Sequence, residues 1–445
     1  MDRIQLSILK KLSPSYLNEL EIVKHDHEDE DEFLRSVFFN NDSSMTTIEQ
    51  SYFTKINHTD GSKTVRFQDA SGLRELKVNL SHSKPRSKSK SKKTTKTNKS
   101  TSPSFPALIG SDLSEGFQKF IPESIENIYS LEDLFKSIQY VMSDGSMSLS
   151  EFKIVTLRRN LMSLLLLPIK RKPIRFNIIY WKHLIIIDYD WEFEDNNHQF
   201  SKSQYCGFKF EDVITKPFTK ATDVLDEDDI IEKLQNLSVS EDDQKMSYYT
   251  VVKSEINKIP IFFTAEIDSG IKGNTPGIQN YVELKTHSNN SSSSIDVNSK
   301  PPSFALKSKL VSTYCQNRLI NAQHAIIGFR STQFRLNSIK CFENNDIGNL
   351  INKYPLDLTD DCLVNGGRLF KWYALLMHWI DHHHEKFTKE KDMNTPQVFK
   401  LEFKPASPQM LDGYLMFTEI KSDVESKAIF NETIPEWFQT YVNSL

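Results

Sequence analysis

The chain has 445 residues, 38% of them hydrophobic and 11% aromatic, enough to bury one large core or two modest ones. A net charge of −4 argues against a generally basic nucleic-acid coat, though not against a local basic groove. The four cysteines, Cys206, Cys315, Cys341 and Cys362, form no CxxC pair, so neither a zinc knuckle nor a disulfide framework is indicated and a reducing compartment fits.

The N-terminal "MDRIQLSILKKL" has no long apolar segment and no small-residue cleavage site, and the most apolar run, "LMSLLLLPI", is too short to span a bilayer. A soluble intracellular protein with no membrane partner is expected. Residues 1–82 read as a partly ordered N-terminal region that includes the acidic run "HDHEDEDE" at 25–32. Residues 83–104 read as a basic low-complexity linker. Its core, "KPRSKSKSKKTTKTNK" at 84–99, has almost nothing to bury and is expected to be disordered. It reads as a nuclear-import signal, an RNA-attracting tether or a solvated insertion. On this tract the expected location is nuclear, with cytoplasmic as the alternative.

From 105 to 445 the pattern predicts one mixed α/β domain. "SLEDLFKSIQYVM" has helical spacing, and "IRFNIIYWKHLIIIDYDWEF" reads as two strands about a turn at Trp181–His183. "DEDDIIEKLQNLSVSEDDQK", near 226–245, reads as an acidic helical insertion. "YYTVVKSEI", "IPIFFTAEID" and "NYVELKT" read as strands, and "THSNNSSSSIDVNSKPPS", 286–303, as a flexible loop. "ALKSKLVSTYCQNRLI" is a predicted helix and "HAIIGFRS" a strand. The long amphipathic helix "RLFKWYALLMHWIDHHHEKF" carries "HHH" at 382–384, which reads as its solvated end rather than a metal site. Asn365-Gly366-Gly367 reads as a turn rather than a phosphate cradle.

Two apolar strands are interrupted by charge. Residues i and i+2 of a strand share a face, so Glu266 and Asp268 are expected to project together, as are Glu283 and Lys285. If the strands are neighbours, one face carries three carboxylates and an ammonium. Hard oxygen ligands of this kind suit Mg²⁺ or Mn²⁺ and phosphodiester hydrolysis. The plainer reading is an exposed strand face laced with ion pairs.

Acid–x–acid followed by Glu–x–Lys on apolar strands resembles the core of the PD-(D/E)XK nucleases. Further pieces fall in order: "IVTLRRNLMSLL" with Arg158, "GFKFED" ending its motif at Glu211, "KLVSTYCQ" with Lys309 and Gln316, and "IIGFR" ending at Arg330. Together, over roughly 105–335, they resemble the DXO family of RNA decapping nucleases. The resemblance implies an α/β (α+β) fold of mixed β-sheets flanked by helices, with the active site in the cleft between sheets. It implies Glu211, Glu266, Asp268 and Glu283, with the carbonyl of Leu284, as ligands of one or two divalent ions. Lys285 is implied as the catalytic lysine, beside Glu266 and Asp268. Gln316 is implied as the phosphate contact, and Arg158, flanked by Leu157 and Arg159, as the segment facing the RNA 5′ end. "DASGLREL" resembles a further family stretch and makes Arg74 a candidate substrate contact.

The chain departs from the family motif in three places. Leu157 replaces an aromatic residue, Arg159 a glycine, and Met162-Ser163 a Thr-Lys pair. The implied function is removal of incomplete or non-standard caps from RNA 5′ ends, with 5′→3′ degradation as an extension. Two alternatives stand beside it: a partner or activator of an XRN-type 5′→3′ exoribonuclease, and a DNA-directed PD-(D/E)XK nuclease.

Overall fold

The structure is a computed structural model that describes residues 2–5, 44–58, 60–78, 80, 105–193, 200–218, 245–288, 301–359, 362–388, 394–405 and 413–445. The runs at 25–32 and 84–99 lie outside the described residues, as do 226–244 and 289–300 of the two expected insertions.

A ten-stranded sheet has the order β1 (Asp2–Gln5), β18 (Tyr414–Glu419), β17 (Gln397–Lys404), β6 (Ile174–Trp181), β7 (Leu184–Tyr189), β5 (Ile154–Leu157), β10 (Ile259–Glu266), β9 (Lys245–Ile256), β2 (Met45–Asn57) and β3 (Lys63–Phe67). In this sheet β5 runs parallel to both its neighbours, β7 and β10. A six-stranded sheet has the order β14 (Leu336–Glu343), β13 (His324–Arg330), β12 (Tyr281–Ser288), β11 (Ser269–Gly270), β4 (Arg74–Leu76) and β8 (Thr215–Pro217). A short β15 (Leu356–Thr359) pairs with β16 (Cys362–Val364). The sequence pattern sets residues 1–82 apart from 105–445, yet β2 and β3 close one edge of the large sheet and β4 lies in the small one.

The apolar runs are strands buried on both faces. On β7, Ile185 and Ile187 join one core cluster while Leu184 and Ile186 join another on the opposite face. The first cluster takes in α3 (Arg158–Leu165), α5 (Phe304–Ile320) and α7 (Gly366–Thr388); α6 (Asn344–Lys353) adds Ile347 and Ile351. The second is covered by α2 (Glu132–Ser143), α8 (Asp423–Thr433) and α9 (Glu436–Asn443); α1 (Ile125–Tyr129) precedes α2. A third packs α4 (Lys202–Ile214) on the small sheet through Phe210, Val282, Leu284 and Ile326. The glycine of "GFR" is required there, because a Cβ on Gly328 would lie 2.6 Å from the Phe210 ring.

The end of α7 differs from expectation. His382 is exposed, but His383 and His384 are buried. His383 stacks on Phe417 with ring centroids 4.7 Å apart, and His384 meets Tyr180 edge-on at 5.0 Å. The helix continues along the sheet instead of leaving it, so two of the three histidines are core. Asn365 accepts the Arg368 N–H at 2.9 Å, so the Gly pair opens α7. The β6–β7 turn is tighter than expected: Trp181 is the last residue of β6, and Lys182 takes a φ of 54°. Among the described residues no helix is long and apolar enough to cross a membrane.

Candidate active site

The two charged motifs do not lie on neighbouring strands. β10 belongs to the large sheet and β12 to the small one. Glu266 is the last residue of β10, and the chain then crosses to β11, which pairs antiparallel with β12. Asp268 sits at this crossing, two residues beyond Glu266, and lines the same cavity as Glu266, as their i, i+2 spacing predicts; the two motifs do not meet through strand pairing. The acids meet instead across the gap between sheets. The expectation also holds on β12, where Glu283 and Lys285 share the face opposite Val282 and Leu284.

Hydrogen bonds fix the crossing. Asp268 Oδ2 accepts the Leu284 N–H at 2.8 Å. Nearby, Tyr248 of the large sheet and Tyr281 of the small one share a 2.7 Å hydrogen bond, and Glu49 accepts from Tyr281 at 2.6 Å. The sheets are therefore tied together where the carboxylates gather.

Lys285 lies among these acids. Its ammonium donates to Glu283 Oε1 and, at 3.2 Å, to the Leu284 carbonyl, and it lies 3.6 Å from Asp268 Oδ2. Gln316, from α5, donates to Glu283 Oε1 at 2.5 Å. Arg158, at the start of α3, donates through Nη2 to the Glu266 carbonyl at 2.5 Å, and its Nη1 lies 3.6 Å from Glu283 Oε2. Glu211 reaches the same cluster from α4. Burial raises its pKa well above the carboxylate range, and repulsion from Asp268 adds to the rise. Burial and then Asp268 push Glu283 up to about 7, against the opposing pull of Lys285 and Arg158. Burial would lower Lys285, but Glu283 and Asp268 outweigh it and hold the ammonium charged.

A cavity of about 390 Å³ opens beside these residues. Leu157, Arg158, Arg159, Glu266, Asp268, Lys285 and Gln316 all line it. Arg159 is exposed and lies over the Tyr129 ring, 5.5 Å from its centroid. Arg74 is placed elsewhere: it bonds Thr215 Oγ1 at 2.6 Å and pairs with Asp212 at 3.4 Å. Arg330 is likewise spent on structure, donating to Ser203 Oγ at 2.6 Å.

Sequence reasoning missed Lys55 and named Lys309 in its helix motif without giving it a role in the site. Lys55 on β2 lines the cavity wall, buried between Asp133 at 3.2 Å and Glu123 at 3.6 Å. Lys309 on α5 is lowered by burial and then by Lys285, which places its charge near the site. No local signal marks Lys55, because it lies far from every motif in sequence. Lys309 is marked by its place seven residues before Gln316.

The donor set fits a hard divalent cation. Four carboxylates and a backbone carbonyl lie around Lys285, two of the acids are pushed up by burial and by repulsion from Asp268, and Lys285 and Arg158 place an ammonium and a guanidinium among them. Among the described residues, no three acidic, histidine or cysteine side chains yet direct their ligand atoms at one point.

Residues 75–439 match the model of the RAI1-like PD-(D/E)XK nuclease family. A relative, decapping nuclease RAI1 of Candida albicans, is 24% identical over 365 residues, covering 76% of this chain and 86% of the relative. The fold is similar to the crystal structure of Candida albicans Rai1 in complex with pU5 and Mn²⁺, with a TM-score of 0.66 and 18% identity over 91% of this chain and 97% of that one. It is also similar to Scheffersomyces stipitis Rai1 in complex with (3′-NADP)⁺ and calcium, with a TM-score of 0.64 and 18% identity over 91% and 96% of the two chains. The family match takes in every acid of the cleft and most strands of both sheets, and the chain belongs to the RAI1-like PD-(D/E)XK nuclease family.

Proposed function

We propose that this protein is a divalent-metal-dependent hydrolase acting at the 5′ end of RNA, removing incomplete or non-standard caps. The observation that carries the reading is the meeting of Glu211, Glu266, Asp268, Glu283 and Lys285 across the gap between sheets. Its support is the family, the decapping nuclease named among the relatives and the pU5–Mn²⁺ complex of a structural neighbour.

The four carboxylates and the Leu284 carbonyl would hold Mg²⁺ or Mn²⁺. When bound, such an ion supplies Lewis acidity toward phosphoryl oxygens and lowers the pKa of water. Lys285, kept charged by its acidic neighbours, offsets negative charge that develops on the phosphoryl group in the transition state. Gln316 and Arg158 orient the phosphate from α5 and α3. The site is walled by both sheets, which favours a single strand end over a duplex.

Partnership with an XRN-type exoribonuclease and a nuclear location belong to the same proposal, the second motivated by the basic tract at 84–99. The test is a panel of RNAs with 5′-triphosphate, unmethylated cap, NAD cap or 5′-hydroxyl, with Mn²⁺ and with excess EDTA. The expected result is metal-dependent release of the 5′ group from at least one capped or phosphorylated RNA. Cleavage that persists in EDTA, or cleavage of none, would overturn the reading.

A further inference from the structure

We propose that an aromatic and basic surface beside the cleft is a track for the single strand of RNA that trails from the scissile bond. The inference rests on the RNA reading above. Three rings form the surface. Phe120 stacks on Phe200 with centroids 5.3 Å apart and meets Phe208 at 5.2 Å. Phe208, which packs against Phe120, is 40% exposed. Cations are interleaved with the rings: the Lys245 ammonium lies 5.5 Å from the Phe208 centroid, and that of Lys202 5.7 Å from Phe117.

The surface is built, not incidental. Tyr205 packs edge-on against Phe120 at 5.0 Å and donates to the Glu115 carbonyl at 2.6 Å. Gly116 permits this approach, with a φ of 91° and a would-be Cβ 2.7 Å from the tyrosine oxygen. The segment 112–122 is thereby fastened to α4, so the rings are held in place before any ligand arrives.

Position relative to the cleft argues for RNA. Phe208 and Glu211 are three residues apart on α4 and so share a helix face. Lys245 is four residues before Tyr249, which pairs with Glu266, so the lysine lies about 13 Å along β9 from the active-site acid. A strand end held at Glu266 and Lys285 would pass these groups on leaving. Aromatic faces stack any base and lysines track any phosphate, which suits a substrate recognised by its 5′ end and not by its sequence. Base stacking of this kind explains an exposed ring with a lysine over it better than a protein partner does, since such a partner would favour an uncharged apolar face.

The test compares wild type, Phe208→Ala and Phe208→Trp on a 5′-phosphorylated dinucleotide and on a single-stranded RNA of about 16 nucleotides, the upper site size of aromatic-lined single-strand binders. Affinity for the long RNA is read by fluorescence anisotropy, and turnover of the dinucleotide reports an intact cleft. Phe208→Ala is expected to weaken binding of the long RNA by about 5- to 150-fold, the range for one lost stacking contact, with dinucleotide turnover unchanged. Phe208→Trp should restore binding. Wild-type affinity in Phe208→Ala with normal dinucleotide turnover overturns the track alone, and leaves the surface, with Ile121 exposed at 87%, to a protein partner. A wild-type protein that neither binds nor cleaves either RNA overturns the reading of the cleft itself.

Discussion

Two buried polar clusters flank the large sheet, and they differ in how their charge is met. The cleft holds Glu211, Glu266, Asp268 and Glu283 against Lys285 and Arg158. The other lies beside a larger cavity of about 780 Å³ and holds Arg175, Asn177, Asp188, Asp190 and Lys400. There the ions are matched: Arg175 bonds Asp190 at 2.7 Å, and Lys400 bonds Asp190 at 2.9 Å and Asn177 at 2.6 Å. Burial alone would raise Asp190, but Lys400 and Arg175 hold it below the usual carboxylate range. In the cleft, Glu211 and Glu283 are raised. A cluster whose charges close on themselves needs nothing more, whereas one left with excess negative charge has room for a cation. Cavity size alone would select the wrong one.

The largest expected break in this comparison is catalytic. Asp268→Ala and Lys285→Ala should each reduce single-turnover cleavage of 5′-triphosphate RNA by at least about 100-fold, with the thermal transition intact. Lys400→Ala should do the reverse. It strips one cation from buried Asp190 while Arg175 remains, and should cost about 1–3 kcal/mol in denaturant unfolding without changing turnover per folded molecule. If Lys400→Ala abolishes cleavage and Asp268→Ala does not, the two clusters have been assigned the wrong way round.

A smaller effect is read in the pH dependence of stability, to which both clusters contribute a raised acid. Burial raises Asp188 from 3.8 to about 7, although Asn177 and Thr433 donate to it. The folded chain therefore keeps this proton where the unfolded chain has lost it, so stability falls as pH rises between those two values. Asp188→Asn should flatten that decline in melting curves taken from pH 4 to 7 and leave RNA cleavage at pH 7 unaltered. A decline as steep as in wild type would show that Asp188 is ionised throughout.

Much of the cleft is legible in the sequence. Glu283 and Lys285 obey the strand period, and Lys309 and Gln316 share a face of α5, because regular elements convert spacing into direction. What fails to read through is pairing. Periodicity places Glu266 and Glu283 on strands but cannot say that those strands enter different sheets. The burial of His383 and His384 is illegible for the same reason: a polar helix end is solvated only if nothing packs on it, and Phe417 and Tyr180 do. Lys55 enters the cavity through the pairing of β2 with β9, a contact some two hundred residues apart in sequence.

The central claim is that the cleft acids, and not the matched network, take a divalent ion. Thermal unfolding with and without Mn²⁺ tests it directly, because an ion that binds only the folded chain raises the melting temperature. The account predicts that Mn²⁺ stabilises the wild type and Asp190→Asn alike, and that Asp268→Asn and Glu283→Gln lose most of that shift. A full Mn²⁺ shift in Asp268→Asn and Glu283→Gln, or its loss in Asp190→Asn alone, would contradict it.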